Sequence, residues 1–224
     1  MNFIFGSASG VGKCLYEIYK KNNQNVFGFD KDSSENTDMI IDLAKDFKLE
    51  GIRNILNKEK IDSITYCAGI QHGENIESVF NVNVISFIKI MNNIINNLDE
   101  TAVCAISSVH AVATNFSNTS YAASKAALEA AIKSYSTNPG SSYFYFLRLG
   151  ATETNLLLEN VNDVDKLKKS LPSGKLFKPE NVAKLIFDIN NKHKELFNGG
   201  AVQVDQGVLS QLSTEWFLSN KFFN

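Results

Sequence analysis

Phe3-Ile4-Phe5-Gly6-Ser7-Ala8-Ser9-Gly10-Val11-Gly12, residues 3–12, is the stretch on which the fold turns. A short apolar run stops at Gly6, three glycines follow in the pattern GxxxGxG, and residues 11–21 then read as a helix. Glycines at these places permit a tight turn and let backbone N–H groups approach a pyrophosphate at a helix N-terminus. Gly6, Ser9, Gly10, Val11 and Gly12 are therefore the expected phosphate contacts. With 13 glycines in 224 positions, chance would supply the pattern only about 0.04 times. A glycine turn with no ligand is the plain alternative, and placement directly after the first strand argues against it.

Working outward, strand-like and helix-like segments alternate to the end of the chain. Strands are predicted at Asn25–Phe29, Met39–Ile41, Ile61–Cys67, Ala102–Ser107, Tyr143–Leu149 and Ala201–Val204. Helices are predicted at Phe47–Lys58, Val79–Leu98 and Thr119–Ser136, with another opened by Pro179, where proline suits the first helical turn. Strands alternating with helices imply βαβ units, so residues 1–224 are expected to form one α/β domain. Its core would be a Rossmann-type doubly wound parallel sheet with helices on both faces. Residues 151–178 are the longest irregular part and are expected to cover a substrate as a lid.

Composition excludes several classes. A formal net charge of −2, with Arg53 and Arg148 the two arginines, gives no electrostatic case for nucleic acid or an anionic membrane. No apolar stretch in the sequence approaches the ~20 residues needed to span a bilayer. The N-terminal apolar run ends after three residues and reads as a strand rather than a targeting signal, so cytoplasmic residence is the expectation. Cys14, Cys67 and Cys104 have no metal-binding spacing and are expected to be buried reduced thiols. No metal is predicted.

Asp30 closes the second strand, 18 residues beyond Gly12. An acidic side chain there accepts hydrogen bonds from ribose hydroxyls and repels a 2′-phosphate, which favours NAD(H). Lys13 and Lys31 nearby leave NADP(H) open.

Tyr121-Ala-Ala-Ser-Lys125 places a phenol and an ammonium on one helical face at i, i+4. The spacing alone says little: seven tyrosines and the lysines among 22 Lys and Arg predict about 0.6 such pairs by chance, and Tyr16–Lys20 is one. Context separates them. Tyr16–Lys20 is expected on a solvent-facing side of the first helix, whereas Tyr121 follows a strand and a loop containing Ser108, at the edge where open α/β sheets bind ligands. A tyrosine with its ordinary pKa near ~10 exchanges a proton near neutrality only if something stabilises the phenolate, and an adjacent ammonium does so.

These pieces together resemble the short-chain dehydrogenase/reductase family over nearly the whole chain. The matching residues are Gly6-x-x-x-Gly10-x-Gly12, Asp42-Leu43, Cys67-Ala68-Gly69, Asn83, Ser107-Ser108 and Tyr121-x-x-x-Lys125. Gly150-Ala-Thr-Glu-Thr154 and Gly200-Ala-Val-Gln-Val-Asp205-x-Gly207 follow. Within the family the pattern is most similar to bacterial 3α-hydroxysteroid dehydrogenase/carbonyl reductase. The resemblance implies Tyr121 as general acid/base, Lys125 on the nicotinamide ribose, Ser108 orienting the substrate oxygen and selected over Ser107 by its 13-residue step to Tyr121, and Asn83 holding a relay water. It implies Asp42 and Leu43 beside the adenine, Cys67, Ala68 and Gly69 along the adenosine-side ribose, and Gly150, Thr152 and Thr154 at the carboxamide and phosphates.

Three positions depart from the family pattern: Phe5 stands where threonine is usual, Leu149 replaces the proline before Gly150, and Cys67 replaces asparagine. None removes a catalytic group.

Gln71, His110 and Leu156 are the expected substrate contacts, each following a sheet-edge motif, and His72 is a further candidate in the cleft. The tail 209–224, with Trp216, Phe217, Phe222 and Phe223, is expected to bury its aromatics against a neighbouring subunit of a homodimer or homotetramer or across the cleft. The expected function is NAD(P)(H)-linked interconversion of a small-molecule secondary alcohol and ketone. The rivals are a sugar-nucleotide-modifying enzyme sharing the Tyr–Lys chemistry, for whose usual second domain the chain has little room, and a dinucleotide-binding sensor or scaffold without catalysis.

Overall fold

The computed structural model describes residues 1–45, 47–56, 60–73, 75–114, 116–138, 140 and 142–212. Seven parallel strands form one sheet: β1 (Asn2–Phe5), β2 (Val26–Asp30), β3 (Met39–Ile40), β4 (Ser63–Tyr66), β5 (Ala102–Ser108), β6 (Tyr143–Leu149) and β7 (Ala201–Val204). Their spatial order is β3-β2-β1-β4-β5-β6-β7. Every residue of β1 and β4 is buried, as near-continuous apolar runs in a sheet covered on both faces require.

One face carries α2 (Leu49–Leu56), the run α3 (Ile76–Phe80) to α4 (Ser86–Ile94), and α5 (Thr119–Tyr135). Ile52, Phe87, Ile90, Leu128 and Ile132 join Phe3, Phe5 and Phe146 in its core. The other face carries α1 (Gly10–Lys21) and α8 (Pro179–Asp188), whose Leu15, Tyr19, Val182 and Ile186 pack on Ile4, Tyr145 and Leu147. The order in which successive strands are added reverses between β1 and β4, and a doubly wound sheet opens its ligand crevice at the carboxyl ends of those two strands.

Four expectations are corrected. The central helix begins at Ile76 rather than Val79, because Asn75 and Ser78 form a reciprocal capping box. That helix run, Ile76–Asn97, is long and apolar enough by length and composition to cross a bilayer, against the reading that no segment is; it spends its apolar face on the core. Residues 151–178 are not irregular: they fold into α6 (Asn155–Asn160) and α7 (Val164–Ser170), started by the side chains of Thr154 and Asp163 and closed at the base by a parallel bridge between Thr152 and Phe177. Tyr16 does not face solvent. It is buried and donates a 3.1 Å hydrogen bond to Asp38, which also accepts from the Gly28 N–H. The aromatic tail residues from Trp216 onward lie outside the described residues.

Candidate active site

The glycine loop is built by close backbone approach. A Cβ placed on Gly12 would sit 1.8 Å from the Gly6 carbonyl oxygen, and Gly6 itself has φ +90°. The loop is pinned to both flanking strands: Gly6 N–H donates to Phe29 O at 2.8 Å, while Cys67 and Ala68 N–H both donate to Phe5 O at 2.8 Å. Ser9 is the N-cap of α1, yet its side chain makes no capping bond and no acidic residue occupies the first turn. The helix end therefore keeps its unspent N–H groups and positive dipole end for an anion. Asp30 reaches back to this loop, its carboxylate accepting from Ala8 N–H at 2.9 Å and from Asp32 N–H at 3.1 Å.

Tyr121 and Lys125 lie one turn apart on the buried face of α5. The Lys125 ammonium donates to the Ile106 carbonyl oxygen at 2.8 Å and sits 5.7 Å from the centre of the Tyr121 ring. Burial pushes its pKa down to about 8, so the cation is held in a place that resists it. Burial also raises the Tyr121 phenol, and a hydrogen bond from the Ser108 hydroxyl opposes that rise. Ser108 ends β5 and caps a short helical turn, Val109–Ala111, its oxygen accepting from His110 N–H at 3.2 Å. The His110 ring stands edge-on to Tyr121 at 6.0 Å, and burial lowers its pKa.

Asn83 lies in a single widened helical turn, Asn81–Ile85, between α3 and α4. Such turns leave carbonyls without their ordinary partner; here Ser86 donates to Asn81 O at 2.7 Å and Tyr66 to Val82 O at 2.5 Å. The Asn83 amide accepts from Ile70 N–H and donates to Ile70 O and to Ser124, each at 2.9 Å. It thereby ties the loop after β4 to α5. A Cβ on Gly69 would come within 3.0 Å of the Lys125 nitrogen and 3.5 Å of the Asn83 oxygen, so glycine there leaves room for both.

A single cleft of about 1310 Å³ runs from the glycine loop to the α6–α7 segment. Gly6, Ser9, Gly10, Val11, Gly12, Asp30, Asp42, Leu43, Cys67, Ala68 and Gly69 line one end. Ser108, Tyr121, Gly150, Thr152, Thr154, Gln71, His72, His110 and Leu156 line the cleft too, with Thr154 3.3 Å from where a Cβ on Gly10 would stand. Lys125 and Asn83 lie just behind this wall, both buried. The Asp42 side chain accepts from Ala44 N–H at 3.0 Å and pairs with the Lys45 ammonium at 3.2 Å. Cys104 is buried as expected, whereas Cys14 and Cys67 are half-buried because each borders a loop or cleft; all three are free thiols raised by burial.

Sequence reasoning missed several neighbours. Asn118 accepts from the Gln71 amide at 2.7 Å, pairing the loop after β4 with the start of α5. Leu157, Leu167 and Leu171 line the cleft, and for Leu167 and Leu171 the signal was their i, i+4 spacing after Asp163. Behind the site, Glu129 binds Ser107 and Arg148 at once.

A protein-family model described as enoyl-(acyl carrier protein) reductase matches residues 14–209. No curated protein matches the chain. Among solved structures, a short chain dehydrogenase family protein from Francisella tularensis superposes with a TM-score of 0.82 at 21% identity, over 94% of this chain and 98% of that one. A short chain dehydrogenase from Burkholderia cenocepacia in complex with NADP gives 0.81 at 19%, over 92% and 96%. The 3-alpha-hydroxysteroid dehydrogenase from Pseudomonas sp. B-0831, complexed with NADH, gives 0.80 at 20%, over 99% of both chains.

Proposed function

Because the chain belongs to the short-chain dehydrogenase/reductase family and is an NAD(P)-dependent oxidoreductase of that kind, we propose that it interconverts a secondary alcohol and a ketone, with Tyr121 exchanging the proton and NAD(H) as the favoured dinucleotide. The placement of Ser108 and Tyr121 on one wall of the cleft, with the Lys125 ammonium buried behind that wall 5.7 Å from the Tyr121 ring centre, is the observation that carries this reading. The residues present fit a dinucleotide: a glycine cradle that any Cβ would fill, an uncapped helix N-terminus, and a carboxylate at the end of β2.

When bound, the dinucleotide supplies or takes up the hydride at the substrate carbon. The chain supplies the rest. Ser108 holds the substrate oxygen beside the Tyr121 phenol. In ketone reduction the phenol O–H bond breaks and its proton goes to that oxygen; in alcohol oxidation the phenolate takes the proton back. Lys125, 5.7 Å from the ring centre, stabilises the phenolate as it forms. Leu156 and the lid leucines exclude water from the substrate end, while Gln71, paired with Asn118, and His110 offer polar contacts there. A homodimer or homotetramer in the cytoplasm belongs to the same proposal; light scattering showing monomer alone at micromolar concentration would remove the assembly from it.

The test is fluorescence titration with NADH and NADPH, followed by turnover on a panel of ketones read at the nicotinamide absorption band. Tight NADH binding and turnover that Tyr121→Phe abolishes, with binding retained, is the expected result. Binding of neither dinucleotide overturns the reading, and binding without turnover of any ketone moves it towards a non-catalytic role.

A further inference from the structure

Glu129 lies one turn beyond Lys125 and two beyond Tyr121, so all three share the buried face of α5. Its carboxylate accepts three hydrogen bonds: from Ser107 Oγ at 2.7 Å, from Arg148 Nε at 2.9 Å and from Arg148 Nη2 at 2.6 Å. Ser107 precedes Ser108 on β5, and Arg148 precedes Leu149 and Gly150 on β6. The two are cross-strand partners in the β5–β6 register. One buried carboxylate thus ties the helix carrying the phenol to the strand carrying the serine and to the strand entering the nicotinamide end.

The rest of α5 is poorly suited to fix that alignment. Alanine fills six of its 17 positions, TSYAASKAALEAAIKSY, so its ridges are shallow. Leu128 and Ile132 give it burial, but apolar contact is non-directional. A two-pronged guanidinium–carboxylate pair is directional and admits one geometry. The pair is also well buried, its side chains 15% and 5% exposed, so solvent does little to loosen it.

We propose that Glu129, held by Ser107 and Arg148, is a positioning residue that sets the separation of the Tyr121 phenol from the Ser108 hydroxyl. The idea rests on the catalytic reading above. A misplacement of about 1 Å at reacting groups costs on the order of 100-fold in rate. Releasing the helix therefore lowers kcat by roughly 10- to 100-fold while dinucleotide binding, made by the glycine loop and Asp30, stays within about twofold.

The discriminating variant replaces both members of the pair, Glu129→Met with Arg148→Met, because it leaves no unpaired buried charge and such swaps commonly preserve folding. Two readouts are taken beside thermal unfolding: kcat and KM on a ketone the wild type turns over, and the titration of Tyr121 followed by NMR of ring-labelled tyrosine, its peak assigned with Tyr121→Phe. The groups facing that phenol are Ser108, Lys125 and His110, all unchanged in the variant. The expected result is a folded protein with lowered kcat and a Tyr121 titration moved upward, since the Ser108 hydrogen bond that favours the phenolate is lengthened. A folded variant with unchanged kcat and unchanged titration overturns the proposal. If the double variant does not fold, Ser107→Ala removes one of the three bonds; a several-fold fall in kcat supports the proposal, and wild-type kcat and titration overturn it. Should the wild type turn over no ketone, the catalytic reading fails by itself, and the Tyr121 titration still decides the role of Glu129.

Discussion

The Lys125 ammonium donates a 2.8 Å hydrogen bond to the carbonyl oxygen of Ile106, two residues before Ser108 on the same strand. This buried cation is kept at a cost to the free protein. Burial brings its pKa from the usual 10.5 down to about 8. Between about pH 8 and 10 the unfolded chain binds this proton and the folded one does not, so this group's contribution to stability rises with pH there and is least favourable below about 8. The displacement corresponds to roughly 3 kcal/mol at pH 7, from which loss of the Ile106 hydrogen bond subtracts about 1. Lys125→Met is therefore expected to stabilise the free protein by about 2 kcal/mol at pH 7 while abolishing turnover. Urea unfolding of both proteins at pH 7, 8, 9 and 10 checks it: the gap closes as pH rises. A variant less stable than the wild type at pH 7 rejects the argument.

Gly12 offers a test in which local and tertiary effects have opposite signs. Inside a helix, Gly→Ala ordinarily stabilises by roughly 0.5–1 kcal/mol. At Gly12 the new Cβ would lie 1.8 Å from the Gly6 oxygen and 3.3 Å from Cys67 Cβ, and the first neighbour is backbone. The loop must open to admit it. Gly12→Ala should lower the melting temperature and weaken NADH by on the order of 100-fold, about 3 kcal/mol. Fluorescence titration reads the affinity, and wild-type binding would show that the loop is more compliant than its contacts imply.

The sequence was legible where burial on both sheet faces left a continuous apolar run, as in β6, which matches its predicted bounds residue for residue; the half-exposed edge strand β7 does so too, its four residues bounded by Gly200 and the Asp205–Gly207 turn. Tyr121 and Lys125 were legible because one helical turn joins them. Features built from one or two capping side chains were not: Thr154 and Asp163 start helices of six and seven residues, too short for periodicity to reveal. Tyr16 was misread because its partner Asp38 lies 22 residues away in a loop whose path no local pattern sets. Glu129 and Arg148 meet only through the β5–β6 register and the docking of α5. A lone arginine inside the aromatic strand Tyr143–Leu149, and a lone acid inside an alanine-rich helix, were the available hints.

The direction of the reaction should respond to pH in opposite senses. On the proposed reading, ketone reduction needs the Tyr121 phenol protonated, and alcohol oxidation needs the phenolate. Burial raises this phenol, so the free protein holds it protonated through neutrality. Reduction is expected to be flat at neutral pH and to fall as pH climbs through the Tyr121 value, while oxidation rises over the same interval. Profiles of kcat/KM in both directions check this. A single falling limb for oxidation would assign the proton to another group.

Asp30 ties cofactor choice to loop geometry. Its carboxylate accepts from the Ala8 N–H of the glycine loop at 2.9 Å, which on the proposed reading puts it beside the adenosine ribose. Among the described residues each oxygen accepts one hydrogen bond, which leaves lone pairs for ribose hydroxyls, and its negative charge opposes a 2′-phosphate. Asp30→Ser removes that charge and leaves a hydroxyl that can still accept from Ala8. NADH should weaken by about tenfold and NADPH tighten by a similar factor, with Lys31, which lines the cleft beside Asp30, able to meet the phosphate; each factor of ten is about 1.4 kcal/mol. The ratio of the two dissociation constants, rather than either alone, is the informative quantity, because loosening of the loop weakens both dinucleotides together. An unchanged ratio would mean that the ribose sits elsewhere and that Asp30 serves only to brace Ala8.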